Sequence, residues 1–154
     1  MKFKCQQCGN CCRQLSIYIG YDDIMRWVEQ DRQDILKETV FCKGAPSGDG
    51  FYFEHTVTAP KQACKFLKDN RCTIYETRPM VCKDFPHSMS KITCCPIWKK
   101  EYFNKSRYKK ILGRQDKSFK KCVTNFDQLL NITMKARGFG HLKTEIGNKW
   151  HSHR

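Results

Sequence analysis

The 154-residue chain is 40% hydrophobic and carries a formal net charge of +14, with 29 Lys and Arg against 15 Asp and Glu. That length is expected to form one folded domain, and no run of 18 or more apolar residues is present to make a spanning helix. Eleven cysteines follow an amino terminus without the apolar stretch of a secretory signal, so a cytoplasmic setting is expected, where thiols stay reduced and close Cys spacing favours metal over disulfides.

In chain order, the first feature is Cys5-x2-Cys8-x2-Cys11-Cys12, four thiols within eight positions. It runs into Leu15–Ile19, where apolar and polar residues alternate as in a short strand. Gly20 interrupts, and Asp22 and Asp23 sit where a helix amino terminus prefers negative charge. Ile24, Trp27, Val28, Ile35 and Leu36 predict a helix over 22–39, or two short ones broken near Asp31. From Phe41 to Pro60, Gly44, Pro46, Gly48, Asp49 and Gly50 predict turns around one buried strand at Phe51–Phe53.

Ala63–Leu67 and Arg71–Tyr75 flank the polar turn Lys68-Asp69-Asn70 and predict a β-hairpin carrying Cys64 and Cys72. Glu76–Asp84 predicts a short helix that bears Cys82, with Pro79 tolerated in its first turn. Cys94-Cys95-Pro96 reads as a loop, and Ile97–Arg114 is mixed basic and aromatic. Phe119, Cys122, Val123, Phe126, Leu130, Thr133 and Met134 predict an amphipathic helix over Asp116–Arg137, capped by Asp116 and ended by Gly138. Cys122, on its apolar face, is expected to be a buried core thiol. Residues 139–154, with His151 and His153, read as a frayed basic tail. The expected fold class is thus α+β, with a small cysteine-rich, metal-organised domain over 1–98 that contains short hairpin strands. A basic helical extension over 99–154 is expected to pack on it.

The thiols carry the chemistry. A C-x2-C step places two thiolates on one turn, the way tetrahedral zinc sites and iron–sulfur clusters are nucleated. Neighbouring side chains diverge in helical or extended backbone, so Cys11 and Cys12 are expected to serve two sites or one polynuclear site. The candidate ligands are Cys5, Cys8, Cys11, Cys12, Cys64, Cys72 and Cys82, three more than one four-ligand site needs. Two closed sites need eight slots, reached by one bridging thiolate or by Cys94 or Cys95. Seven thiolates against two divalent ions would leave a charge of −3, which Arg13 and Arg78 are placed to offset in part. Thiolates accept both zinc and iron, and the amino-terminal spacing overlaps the C-x2-C-x2-C portion of bacterial ferredoxins without their fourth Cys-Pro.

Phe3-x-Cys5-x2-Cys8-Gly9-x-Cys11-Cys12-Arg13 resembles the signature of the CxxCxxCC cysteine-cluster proteins, the YkgJ-like zinc- or iron-chelating family. The second block fits it as well: Cys64-x-Phe66-Leu67, then Cys72-x-Ile74-Tyr75-x2-Arg78-Pro79-x2-Cys82-x2-Phe85-Pro86. The resemblance covers about 5–87 and implies a small cytosolic domain that binds zinc or iron, singly or as a cluster. A flagellin lysine methylase is similar with an added region, which extends the analogy to protein methylation. The chain departs from the pattern in Lys65, where the family often has Pro, and in the extra Cys94-Cys95 pair. Those two thiols are either further ligands or a redox couple.

Three functions follow. The first is a metal-binding protein that chelates zinc or iron through a multi-cysteine centre. The second is an iron–sulfur redox or protein-methylating enzyme, although no glycine-rich cofactor loop and no Cys/His or Ser/His constellation is present. His55 and His87 are its candidate acid–base groups, although such a residue is more often just a polar loop residue. The third is a basic nucleic-acid or ribosome-associated module with structural metal. Residues 1–98 carry +3 and residues 99–154 carry +11, which either attracts an acidic macromolecule or is a lysine-rich solvated face.

Overall fold

Three consecutive aromatic residues, Phe51, Tyr52 and Phe53, mark the strand on which the rest of the molecule is stacked. In the computed structural model, which describes residues 4–45, 48–58, 63–87, 95–98 and 102–138, this strand (β3, Gly50–Phe53) is buried along its whole length. It pairs antiparallel with β1 (Tyr18–Ile19) on one side and β2 (Thr39–Cys42) on the other, giving the order β1-β3-β2. Gly50 is needed there because a Cβ would lie 2.7 Å from the Tyr18 ring.

Successive strand residues face opposite sides, so Phe51 and Phe53 present one aromatic surface. Phe53 stacks on Trp27 at 5.8 Å between ring centres, and Phe126 meets Phe41 at 4.8 Å and Phe51 at 5.9 Å. Trp27 lies on α1 (Tyr21–Glu29) and Phe126 opens α6 (Phe126–Ala136), so one core joins sequence positions a hundred residues apart. Each buried phenylalanine contributes about 2–3 kcal/mol. Helices and short antiparallel strands around this core make a small α+β fold.

The expected break near Asp31 is present: α1 stops at Glu29, Asp31 adopts φ 50°, and α2 covers Gln33–Leu36. Other elements differ from expectation. The strand expected over Leu15–Ile19 shrinks to two residues, because Leu15 N bonds back to Cys11 O and Ile17 N bonds to the Thr56 hydroxyl. Thr39, expected in a helix, starts β2, where pairing with β3 outweighs local helical spacing. After β3 the chain forms α3 (Glu54–Thr58) in a stretch expected to be turns.

The carboxyl-terminal helix is two helices. The first, α5 (Lys105–Thr124), starts eleven residues before Asp116 and is capped by Asn104, whose side chain accepts from Arg107 N at 2.8 Å. Asp116 lies inside it, paired with Lys120. The early half was hidden in the sequence because only Ile111 of its first two turns and more is buried. Asn125 separates α5 from α6, its side chain donating to Lys121 O at 2.9 Å. Gly138, at φ 81°, follows the end of α6 as expected. Cys122 is 3% exposed and joins the core, whereas Phe119, expected on the apolar face, is 39% exposed. Cys94 and residues 139–154, including His151 and His153, lie outside the described residues.

Candidate metal centre

Three segments bring the thiols together. The amino-terminal loop carries Cys5 and Cys8 and then a 3₁₀ turn, Cys11–Arg13. A hairpin of β4 (Leu67–Lys68) and β5 (Arg71–Cys72) follows, with Cys64 just before it. Its turn residues Asp69 and Asn70 both have positive φ, at 48° and 61°, which matches the twist of a two-residue hairpin connection. The last segment is α4 (Met80–Asp84), which holds Cys82; Pro79 precedes it as the cap, so the helix begins four residues later than expected.

Each segment is anchored to the core. Trp27 Nε1 donates to Thr77 O at 2.8 Å and to its hydroxyl at 3.1 Å. Arg26 donates to Asp23, Thr77 O and Arg78 O. Asp23, 1% exposed, accepts from Gly20 N at the start of α1 and from Met80 N at the start of α4. One buried carboxylate thus serves two helix amino termini. Near Cys64, His55 Nε2 accepts from Lys65 N at 2.9 Å and Lys65 Nζ reaches Glu38 at 2.8 Å. The loop meets the hairpin through Cys64 N donating to Cys12 O at 2.7 Å.

All seven candidate ligands, Cys5, Cys8, Cys11, Cys12, Cys64, Cys72 and Cys82, line one cavity of about 760 Å³, and Cys95 joins them as an eighth thiol. Cys95 could not be told from Cys94 in the sequence, since neither has a distinguishing neighbour pattern. Cys11 Sγ and Cys12 Sγ stand 4.0 Å apart. Two sulfurs about 2.3 Å from one tetrahedral ion are about 3.8 Å apart, so these neighbours do not diverge as expected. A single χ1 torsion in each side chain is enough to turn the two sulfurs toward each other. Among the described residues, no three Cys, His, Asp or Glu side chains are close enough to share one ion. The thiols converge on a cavity rather than on a point.

The donor set fits a thiophilic metal: among the described residues the cavity wall carries eight cysteine thiols and no imidazole, with Asp22, Asp23, Asp84 and Asp116 also on it. His55 holds Lys65 and stacks on Phe53, and His87 is buried edge-on to Trp98; neither lines the cavity. Burial pushes the Cys64 thiol up to about 11 and raises Cys72, Cys82 and Cys95 as well. Cys11 is raised by its hydrogen bond with Cys12, by burial and by repulsion from the Cys12 charge. Negative charge on Cys11 also opposes ionisation of Cys64, Cys72, Cys82 and Cys95, which makes Cys11 their common electrostatic neighbour. A bound cation reverses this balance, because a coordinating thiol is deprotonated.

The two arginines part company. Arg78 lines the cavity, stacks on the Tyr75 ring at 3.7 Å and favours the Cys72 thiolate by its charge. Arg13 is not among the lining residues and reaches instead to Cys8 O and Asn70. No helix of the described residues is long and apolar enough to cross a membrane.

Neither a curated protein nor a solved structure matches the chain. The family profile named CxxCxxCC, "Putative zinc- or iron-chelating domain", matches residues 4–109, which takes in both cysteine blocks and every thiol on the cavity wall. The chain belongs to the CxxCxxCC family.

Proposed function

We propose that the protein chelates zinc or iron through Cys5, Cys8, Cys11, Cys12, Cys64, Cys72 and Cys82, with Cys95 as the eighth thiolate. The supporting observation is that these eight sulfurs, drawn from three separate segments and a further loop, line one cavity. Eight thiolates fill two four-coordinate sites without a bridge, or ligate an iron–sulfur cluster with donors to spare. A metal would supply positive charge that holds the thiolates together, and Arg78 offsets part of the remaining negative charge. Such a centre belongs in a reducing compartment such as the cytoplasm.

Anaerobic purification followed by elemental analysis and a visible spectrum tests this reading. A colourless protein with stoichiometric zinc supports a zinc centre. A brown protein with iron and acid-labile sulfide supports the cluster. Folded protein that holds no stoichiometric metal under these conditions overturns the reading.

A second role fits α5. This helix carries eight basic residues and one acidic residue, and Lys105, Arg107, Lys109, Lys110 and Lys117 are exposed without an ion pair among the described residues. We propose that this face attracts a polyanion such as a nucleic acid, with the metal centre as its structural support. A salt-sensitive mobility shift with RNA or DNA is expected, and no shift at low ionic strength would remove this role.

A further inference from the structure

We infer that Arg13 is a positioning residue of the thiol centre: by clasping the hairpin turn, it sets where the amino-terminal thiols stand relative to Cys64 and Cys72. This inference rests on the thiol-centre reading above and assigns Arg13 a role other than charge compensation.

Three independent features meet at this side chain. Arg13 Nη2 donates to Asn70 Oδ1 at 2.5 Å, and Nη1 donates to Cys8 O at 3.3 Å. One guanidinium therefore holds the backbone of a thiol-bearing residue and the turn of the hairpin together, across 57 positions of sequence. Gly9 leaves room for it. With φ at 77°, Gly9 adopts a conformation that side chains disfavour, and a Cβ there would lie 2.5 Å from Arg13 Nη1 and 3.2 Å from Leu67 Cδ2. Asn70 is presented by its left-handed backbone at the tip of the turn that joins β4 to the Cys72 strand.

The second attachment of the loop is the backbone bond from Cys64 N to Cys12 O. A single tie leaves a hinge, about which the arm carrying the exposed Cys5 and Cys8 can swing. Two ties at separate points fix its direction. The guanidinium suits the task because its planar, preorganised donors engage two acceptors at once with little rotamer entropy lost per bond. A lysine ammonium at this position would hold one acceptor firmly and the other poorly.

The test uses the full chain, stripped of metal under reducing conditions and titrated with zinc against a chromophoric chelator. Arg13→Gln and Asn70→Ala are each expected to lower zinc affinity about 10–100-fold, the usual effect of removing a partner that orients ligands. The double variant should be no weaker than Arg13→Gln alone, since that substitution already removes the contact to Asn70. Asn70→Asp keeps an acceptor for the guanidinium and should restore wild-type affinity. Cobalt-substituted protein gives a second readout: the thiolate-to-cobalt bands of Arg13→Gln should weaken relative to wild type, and those of Asn70→Asp should not. Arg13→Gln and Asn70→Ala within twofold of wild type, alongside a Cys64→Ser variant that does lose zinc, overturns the clasp and leaves the thiol centre standing. If Cys64→Ser and Cys11→Ser also retain full affinity, the thiol-centre reading itself fails. Asn70 lies at an exposed turn, so its variants decide the matter even if Arg13→Gln does not fold.

Discussion

Around β3 the residues that meet are Trp27, Phe51, Phe53 and Phe126, each 1% exposed or less. The loop at residues 5–12 meets the hairpin through one backbone bond and one arginine, with Cys5 and Cys8 exposed. The first region is held by apolar burial, which is non-directional and tolerates a lost contact. The second has few apolar contacts of its own and many thiols, so under the proposed function its free energy depends on what the sulfurs bind. Local stability varies across a structure in this way, and the least buried backbone opens first. The joint between the two regions combines a polar part, Trp27, Arg26 and Asp23 against Thr77, Arg78 and Met80, with an apolar part in which Phe66, Ile74, Val81 and Cys82 pack on the core.

Stripping the metal should separate the two regions most sharply. A structural zinc is worth on the order of 10–16 kcal/mol of apparent folding energy, against about 5–15 kcal/mol for a whole domain. Hydrogen-exchange protection is expected to vanish over 4–14, 63–75 and 80–84 after chelation, while α1, β3 and α6 keep part of theirs. Unchanged circular dichroism and an unchanged melting point after chelation would break the comparison.

Next in size is Phe126→Ala, which removes a ring that touches both Phe41 and Phe51. A loss of about 3–5 kcal/mol in urea unfolding is expected, with zinc stoichiometry intact under native conditions. Metal loss as ready as that of a cysteine variant would mean that the regions are not separately held.

Trp27→Phe probes the joint. It keeps most of the apolar area but removes the indole donor from Thr77 O, which retains Arg26, at a cost of about 0.5–1.5 kcal/mol. Because Thr77 leads into α4, zinc affinity should fall in parallel. Stability that drops with no change in affinity would place Cys82 outside the influence of the core.

The smallest expected effect is a pH dependence that belongs to the core alone. Burial pushes the Cys122 thiol up to about 11 from an ordinary value near 9. Folding favours its neutral form, so this contribution is full below pH 9 and is lost as pH rises toward 11. Metal-loaded protein should lose on the order of 1–2 kcal/mol over that window. Cys122→Ala should flatten the slope, and an equal slope in both proteins would assign it to other groups.

The local elements with strong chemical punctuation were readable in advance. Left-handed turn residues at Asp69-Asn70, the break at Asp31 and the stop at Gly138 follow from backbone preferences of single residues. Where long-range pairing decides, the reading was incomplete. Thr39–Cys42 became a strand because β3 lies beside it, and residues 105–115 became helix although their solvent-facing side carries no apolar period. At the site, seven sulfur positions stood out by spacing, but the inward position of Cys95 did not.

By itself the sequence determined the inventory of thiols: their number, their C-x2-C steps, and the arginines set among them. Residue type and spacing are sufficient for that, because cysteines three positions apart can share one turn. Only the tertiary structure decided that Cys95 joins the cavity wall, that Arg78 lines it, and that Arg13 reaches the hairpin instead. Those outcomes depend on packing between segments far apart in the chain, and local propensity holds no record of it.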